Sequence, residues 1–145
     1  MDPLTIIASA VGISRSVTTV AEGIRWITSL KNAPLEFLDL HNELETVQGY
    51  LDVLRRTLEP LQENAQEPTA LVLTQIATCL PTLNDDVTQI QQLSASLLAH
   101  WDDRKRVRKI NWRRHQDIVA IHRDRIRRRR VDLAQTVALL QPAQG

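Results

Sequence analysis

Between residues 37 and 61 apolar side chains return in alternating steps of three and four: Phe37, Leu40, Leu44, Val47, Leu51, Leu54, Leu58 and Leu61. That spacing keeps one stripe on one side of an α-helix, and it predicts a helix over about 34–60 with the seam that left-handed bundle packing requires. The same rhythm predicts a helix over about 68–101, through Leu73, Ile76, Leu80, Leu83, Val87, Ile90 and, past a polar Ser94, Leu97 and Trp101. Pro81 falls inside that run without shifting its register, so a kink near 81, or two helices stacked end to end, is expected. A first helix over about 3–30 carries Ile6, Ile13, Val17, Val20, Ile24 and Ile27, widened near its start by Ile7, Ala10 and Val11. After Trp101 the periodicity fails for about a dozen residues, then resumes near Trp112 in a fourth helix over about 112–141 carrying Ile118, Val119, Ile121, Ile126, Leu133, Val137 and Leu140.

The prolines punctuate these elements. Asp2 followed by Pro3 reads as an N-cap with proline in the first helical position, Pro34 opens the second helix and Pro68 the third, while Pro60 and Pro142 stop theirs. With only 4 glycines in 145 residues there is no material for hairpins, phosphate loops or a β-sandwich. The expected fold is therefore all-α: a single domain over 1–145, built as an antiparallel four-helix bundle with a basic connector between helices three and four. Its candidate core is Phe37, Leu44, Val47, Leu51 and Leu54 from the second helix and Ile76, Leu80, Leu83, Val87 and Ile90 from the third. A dimer through the same seams is the competing arrangement.

Charge changes the picture. The formal net charge of +1 conceals a divided chain: residues 1–103 carry 5 basic and 14 acidic groups, residues 104–145 carry 13 basic and 3 acidic. All 13 of those cations lie between 104 and 130. Self-repulsion on that scale needs partners. They could be carboxylates across the bundle, with the Glu36/Glu43 and Glu45/Asp52/Glu59 rows of the second helix facing Arg123, Arg125, Arg127, Arg128, Arg129 and Arg130. They could be anionic lipid, met by Arg104, Lys105, Arg106, Arg108, Lys109, Arg113 and Arg114, with Trp101 and Trp112 at headgroup depth. They could be nucleic acid, bound through phosphate contacts and base stacking.

Catalysis is not expected. No G-x-S-x-G, Walker-type loop, H-E-x-x-H or paired-cysteine motif is present, and no cofactor or metal is implied. His115 and His122 fall seven apart on one helix face, but no carboxylate or third imidazole stands at the spacing that would complete a metal site. The lone Cys79 has no disulfide partner and sits among Ala77, Thr78 and Leu80, so it reads as a core thiol in an intracellular protein. No uninterrupted apolar run reaches the ~18–20 residues of a membrane span, and the opening lacks the basic residues of a secretory signal. Helix one nevertheless favours a membrane partner over nucleic acid. Leu4, Ile6, Ile7, Ala8, Ala10, Val11 and Ile13 place apolar groups on most of its sides, with no charge between Asp2 and Arg15. Such a segment is either enclosed by its neighbours or, if released, able to insert shallowly in a bilayer.

The opening Met1-Asp2-Pro3-Leu4-Thr5-Ile6-Ile7-Ala8-Ser9-Ala10-Val11 resembles the MDPLSxxASVxGL start of the fungal N-terminal domains of STAND proteins, the NLR-like receptors of filamentous fungi. Further similarities follow in order. Lys31-Asn32-Ala33-Pro34 is similar to the family's k-x-A-P between its first two helices, and Leu44, Glu45, Val47, Leu51 and Leu54 to its second-helix pattern. The basic run with Trp112, leading into Ile118, Val119, Ala120 and Ile121 and ending on Leu133, Ala134, Val137 and Leu139, resembles the family's basic connector and last helix. The resemblance spans nearly the whole chain. It implies a HeLo-like bundle that precedes a nucleotide-binding oligomerisation module and acts by self-association in regulated cell death, heterokaryon incompatibility or defence. By position it implies Leu4, Ile6, Ile7, Val11 and Ile13 for membrane insertion, and Arg104, Lys105, Arg106, Arg108 and Lys109 for contact with anionic lipid. A cytoplasmic protein recruited to the plasma membrane on activation is expected. A nucleic-acid-binding helical module and a plain adaptor bundle that presents its heptad face to a partner helix are the alternatives.

Overall fold

The computed structural model describes residues 3–29, 35–59, 67–99 and 109–140, with side chains over 4–29, 35–59, 71–95 and 116–139. These residues form four helices, and among them there is no strand: α1 is Pro3–Thr28, α2 Leu35–Leu58, α3 Glu67–Ala99 and α4 Lys109–Leu140. α2 suits a helix end to end, with acidic Glu36 in its first turn and Arg55 and Arg56 in its last, where each sign of charge meets the favourable end of the helix dipole. α3 runs unbroken across Pro81, which excludes two helices stacked end to end. Pro81 lies on the exposed side of α3, away from the core-facing stripe. α4 begins at Lys109, not near Trp112, so the second half of the expected basic connector is helical. Lys and Arg are good helix formers, and nothing between 109 and 114 breaks a helix.

α1 packs against α2 and α3, α4 packs against the same two helices, and among the described residues α1 and α4 do not meet. Thr18 of α1 meets Gln48 of α2, and the earlier Arg15 shares a hollow with the later Asp52, so these two helices run in opposite directions. Arg125 and Arg129 of α4 meet Gln89 and Asp86 of α3, again in opposite order. In contrast, Glu36 and Glu43 of α2 meet Gln116 and Arg130 of α4 in the same order. Ser9 and Gly12 of α1 lie near Ala77 and Leu80 of α3, and Gly23 near Ser94, also in the same order. Each helix thus has one neighbour running with it and one running against it.

The core is where the stripes converge. Phe37, Leu40, Leu44, Val47, Leu51, Leu54 and Leu58 from α2 are buried, as are Leu73, Ile76, Leu80, Leu83, Val87 and Ile90 from α3. α1 contributes Ile6, Ile7, Ala10, Ile13, Val17, Val20, Ala21, Ile24 and Ile27, and α4 only Val119, Ile126, Leu133 and Val137 among its described side chains. At roughly 1.5–3 kcal/mol for each large side chain withdrawn from water, the described side chains of α1 contribute more hydrophobic stabilisation than those of α4.

Candidate functional site

Two regions carry chemistry of interest: the leading helix, and the polar seam that α4 makes with α2 and α3. In α1 the residues implied for insertion are divided. Leu4 is 62% exposed, whereas Ile6 is 0%, Ile7 9% and Ile13 5% exposed, and Val11 is partly buried against the core. The structure therefore holds most of the insertion set inside the bundle. The outward side of α1 carries the charges of Arg15, Glu22 and Arg25 together with hydroxyl groups. Ser16 and Thr19 there, and Thr18 on the side facing α2, donate their hydroxyls to the carbonyls of Gly12, Arg15 and Ser14 one turn back, at 3.3, 3.1 and 2.9 Å. Hydroxyls satisfied within their own helix are the kind that an apolar medium tolerates. Leu4–Thr28 is long and apolar enough to cross a membrane by length and composition. Counting an uninterrupted apolar run misses this because the count stops at Arg15, whereas mean hydropathy averages over Arg15, Glu22 and Arg25. Core helices of soluble proteins pass the same test. Beside α1, Ser9, Gly12, Ile13, Ala77, Leu80, Pro81 and Asn84 line an open groove of about 270 Å³ between α1 and α3.

The side chains of the cations expected to meet lipid are outside the described set. Arg104, Lys105, Arg106, Arg108 and Trp101 fall outside the described residues, and Lys109, Trp112, Arg113 and Arg114 belong to the α4 backbone with their side chains outside the described set. The arginines that are described, between 123 and 130, are largely engaged. Arg127 Nε donates to Glu43 Oε1 at 2.9 Å and Arg130 Nε to Glu43 Oε2 at 2.6 Å, so one carboxylate, only 12% exposed, holds two guanidiniums. That bond to Glu43 pushes the Arg127 guanidinium above its ordinary pKa. Arg123 lies 4.0 Å from Asp39 and 3.3 Å from Asp124. Arg125 donates to the neutral Gln89 at 2.8 Å. Arg128 is exposed and has no partner among the described residues.

Of the two acidic rows on α2, only Glu36/Glu43 faces α4. Asp52 is taken by Arg55 and Arg56 of its own helix at 2.8 and 3.0 Å, and Glu45 pairs with His41 at 3.5 Å. The reason is angular: two residues along an α-helix is a rotation of about 200°, so Glu45 points away from the side that Glu43 uses.

The α3·α4 seam holds groups that heptad reading passes over. Asp86, 6% exposed, accepts from Arg129 Nε at 3.2 Å, and Arg129 also reaches Asp132 at 3.3 Å. His122 is 7% exposed, and its buried Nδ1 has no hydrogen-bond partner among the described residues. Burial pushes its imidazole below the ordinary pKa, Arg125 lowers it further, and Asp86 opposes both. Cys79 is half-buried on the same side of α3. Burial raises its thiol pKa, with Asp132 and Asp86 adding to the rise and Arg129 opposing it, the opposite of an activated nucleophile. The sequence signal for this seam is faint but real: Asp86 stands between Leu83 and Val87 of the α3 stripe, and Arg129 three residues beyond Ile126 of α4. Among the described residues no group of three or more His, Cys, Asp or Glu is placed to hold a metal ion.

Compared with protein-family models, with curated proteins and with solved structures, the chain matches none of them.

Proposed function

We propose that this chain is the N-terminal signalling or effector domain of a fungal NLR-like (STAND) receptor, a HeLo-like antiparallel four-helix bundle followed by a nucleotide-binding domain. In this reading it has no active site and takes no cofactor. It works by self-association and by association with, or permeabilisation of, anionic membrane in regulated cell death, as a cytoplasmic protein recruited to the plasma membrane when activated. What carries the reading is α1. A helix of span length opens on the distinctive Met1-Asp2-Pro3-Leu4 start, and hydroxyls on its outward side are bonded to its own backbone. Its burial is then the resting state, and release is the activating step.

Vesicle flotation tests this. The protein should float with phosphatidylserine vesicles and not with neutral ones. Replacing Arg104, Lys105, Arg106, Arg108 and Lys109 by Glu should abolish flotation, and added salt should weaken an electrostatic mode while leaving an inserted helix bound. Loss of oligonucleotide binding in that variant with flotation intact would reverse the reading toward nucleic acid.

A second reading, a non-membrane adaptor bundle, draws support from the burial of Ile6, Ile7 and Ile13 and from the pairing of Arg127, Arg129 and Arg130 with Glu43 and Asp86. It requires neither flotation nor leakage, and one specific helical partner.

A further inference from the structure

α4 is held in the bundle by different physics from α1. Its described inward face buries four apolar side chains and is otherwise polar, with His122, Thr136 and the arginines that reach Glu43 and Asp86. The imidazole contributes a buried Nδ1 with no partner, which weakens the seam it sits in. α4 also lacks an acidic residue in its first turn and a basic one in its last, so its charges do nothing for its own dipole. Because among the described residues it touches α2 and α3 and not α1, it can part from them without breaking either α1 seam directly. Ion pairs resist displacement of one partner strongly, since a lone charge is stranded. They resist complete separation weakly, since both partners regain their hydration.

We infer that α4 is a detachable lid, held over the apolar stripes of α2 and α3 by exchangeable arginine–carboxylate pairs, and that anionic phospholipid headgroups take the place of Glu43 and Asp86 when it lifts. In the closed bundle Arg123, Arg127, Arg129 and Arg130 meet Asp39, Glu43, Asp86, Asp124 and Asp132, while Arg125 meets the neutral Gln89 and Arg128 is exposed, so four of the six arginines of the run are paired with carboxylates. Lifting parts these arginines from Asp39 and Glu43 of α2 and Asp86 of α3, while Asp124 and Asp132 travel with α4, and it uncovers apolar stripe in the same event. The lid follows from the packing alone, whereas the lipid substitution rests on the membrane reading above.

Two measurements on the 145-residue chain separate these parts. Hydrogen exchange in buffer tests the lid: backbone amides of 119–137 should exchange about tenfold faster than those of 6–27, and Glu43→Gln should accelerate the first set and not the second. A single common rate for both helices, or faster exchange in α1, overturns the lid, and this comparison holds in the unmodified protein even if the variant fails to fold. Alkylation of Cys79, half-buried on α3 within the fields of Arg129 and Asp132, reports uncovering of the α3 side. Phosphatidylserine vesicles should raise its rate about tenfold and phosphatidylcholine vesicles should leave it unchanged. An unchanged rate with flotation intact overturns the substitution alone, and an unchanged rate with flotation absent overturns the membrane reading with it.

Discussion

Arg130 Nε donates to Glu43 Oε2 at 2.6 Å across the seam between α2 and α4, and the other oxygen of the same carboxylate is taken by Arg127. Removing Glu43 therefore leaves two guanidiniums facing each other without a counter-charge. Glu43→Ala should destabilise the fold by on the order of 2 kcal/mol, between the small value of an exposed pair and the large one of a buried pair. Glu43→Gln should lose a similar amount, because an amide keeps the shape and not the charge. A double-mutant cycle of Glu43→Ala with Arg130→Ala, read by urea denaturation, should return a coupling of about 1–2 kcal/mol. A coupling near zero would show that the pair is not formed in solution.

His122 makes stability depend on pH with a definite sign. Its pKa is below the ordinary 6.5 in the folded protein, chiefly through burial, so the unfolded chain binds that proton more readily. Its contribution is fully present above about pH 6.5 and is lost as the pH falls from there toward the folded value. Urea midpoints should fall between pH 6.5 and 5.5 by more in the native protein than in His122→Leu. The leucine variant should also be at least as stable at pH 8, since it removes an unpartnered buried nitrogen. Parallel pH profiles for the two proteins would refute the assignment.

The membrane reading requires variants that touch insertion without touching the fold, and burial decides which these are. Ile6, Ile7 and Ile13 lie in the core, so a charge there costs several kcal/mol and loss of activity would report unfolding. Leu4 is exposed. Leu4→Asp should leave the thermal midpoint within about 1–2 °C, as surface substitutions do, while reducing dye leakage from phosphatidylserine vesicles at least tenfold. Undiminished leakage from that folded variant would remove the start of α1 from the mechanism.

What the sequence made legible follows the strength of each physical signal. The stripe of α2 repeats without a miss, and each of its residues from Phe37 to Leu58 that the heptad picks out is buried. Burial on that scale overrides everything local, so periodicity alone finds it. α4 was harder to read because its stripe is interrupted by charge. Ile118 and Ile121, which fit the apolar count, face solvent, while His122 and Asp86, which do not, are inside. Their placement depends on what the neighbouring helix offers, a guanidinium for Asp86, and a linear pattern holds no record of that. The same limit applies to Glu45 and Asp52, whose seven-residue spacing matches that of Glu36 and Glu43 although they point elsewhere.

Glycine substitutions offer a direct check on the α1·α3 groove. Gly12 lies mid-helix in α1, and a Cβ placed there meets nothing within 4 Å; the same holds at Gly49 in α2. Glycine in a helix interior is about 0.5–1 kcal/mol worse than alanine, because the unfolded chain has more freedom to lose. Gly12→Ala and Gly49→Ala should therefore each raise stability by that amount, about 1–4 °C in the thermal midpoint for a domain of this size. Gly23 differs, since a Cβ there would stand 3.4 Å from Ser94 Oγ, where α1 and α3 approach most closely among the described glycines. Its alanine variant should gain less, because added contact with the buried Ser94 offsets part of the entropic benefit. Calorimetry of the three variants should give Gly12 and Gly49 the larger increases. A fall in stability at Gly12 would mean that the groove is filled in solution, by a tighter approach of α1 to α3 or by another chain seated against Leu80 and Pro81.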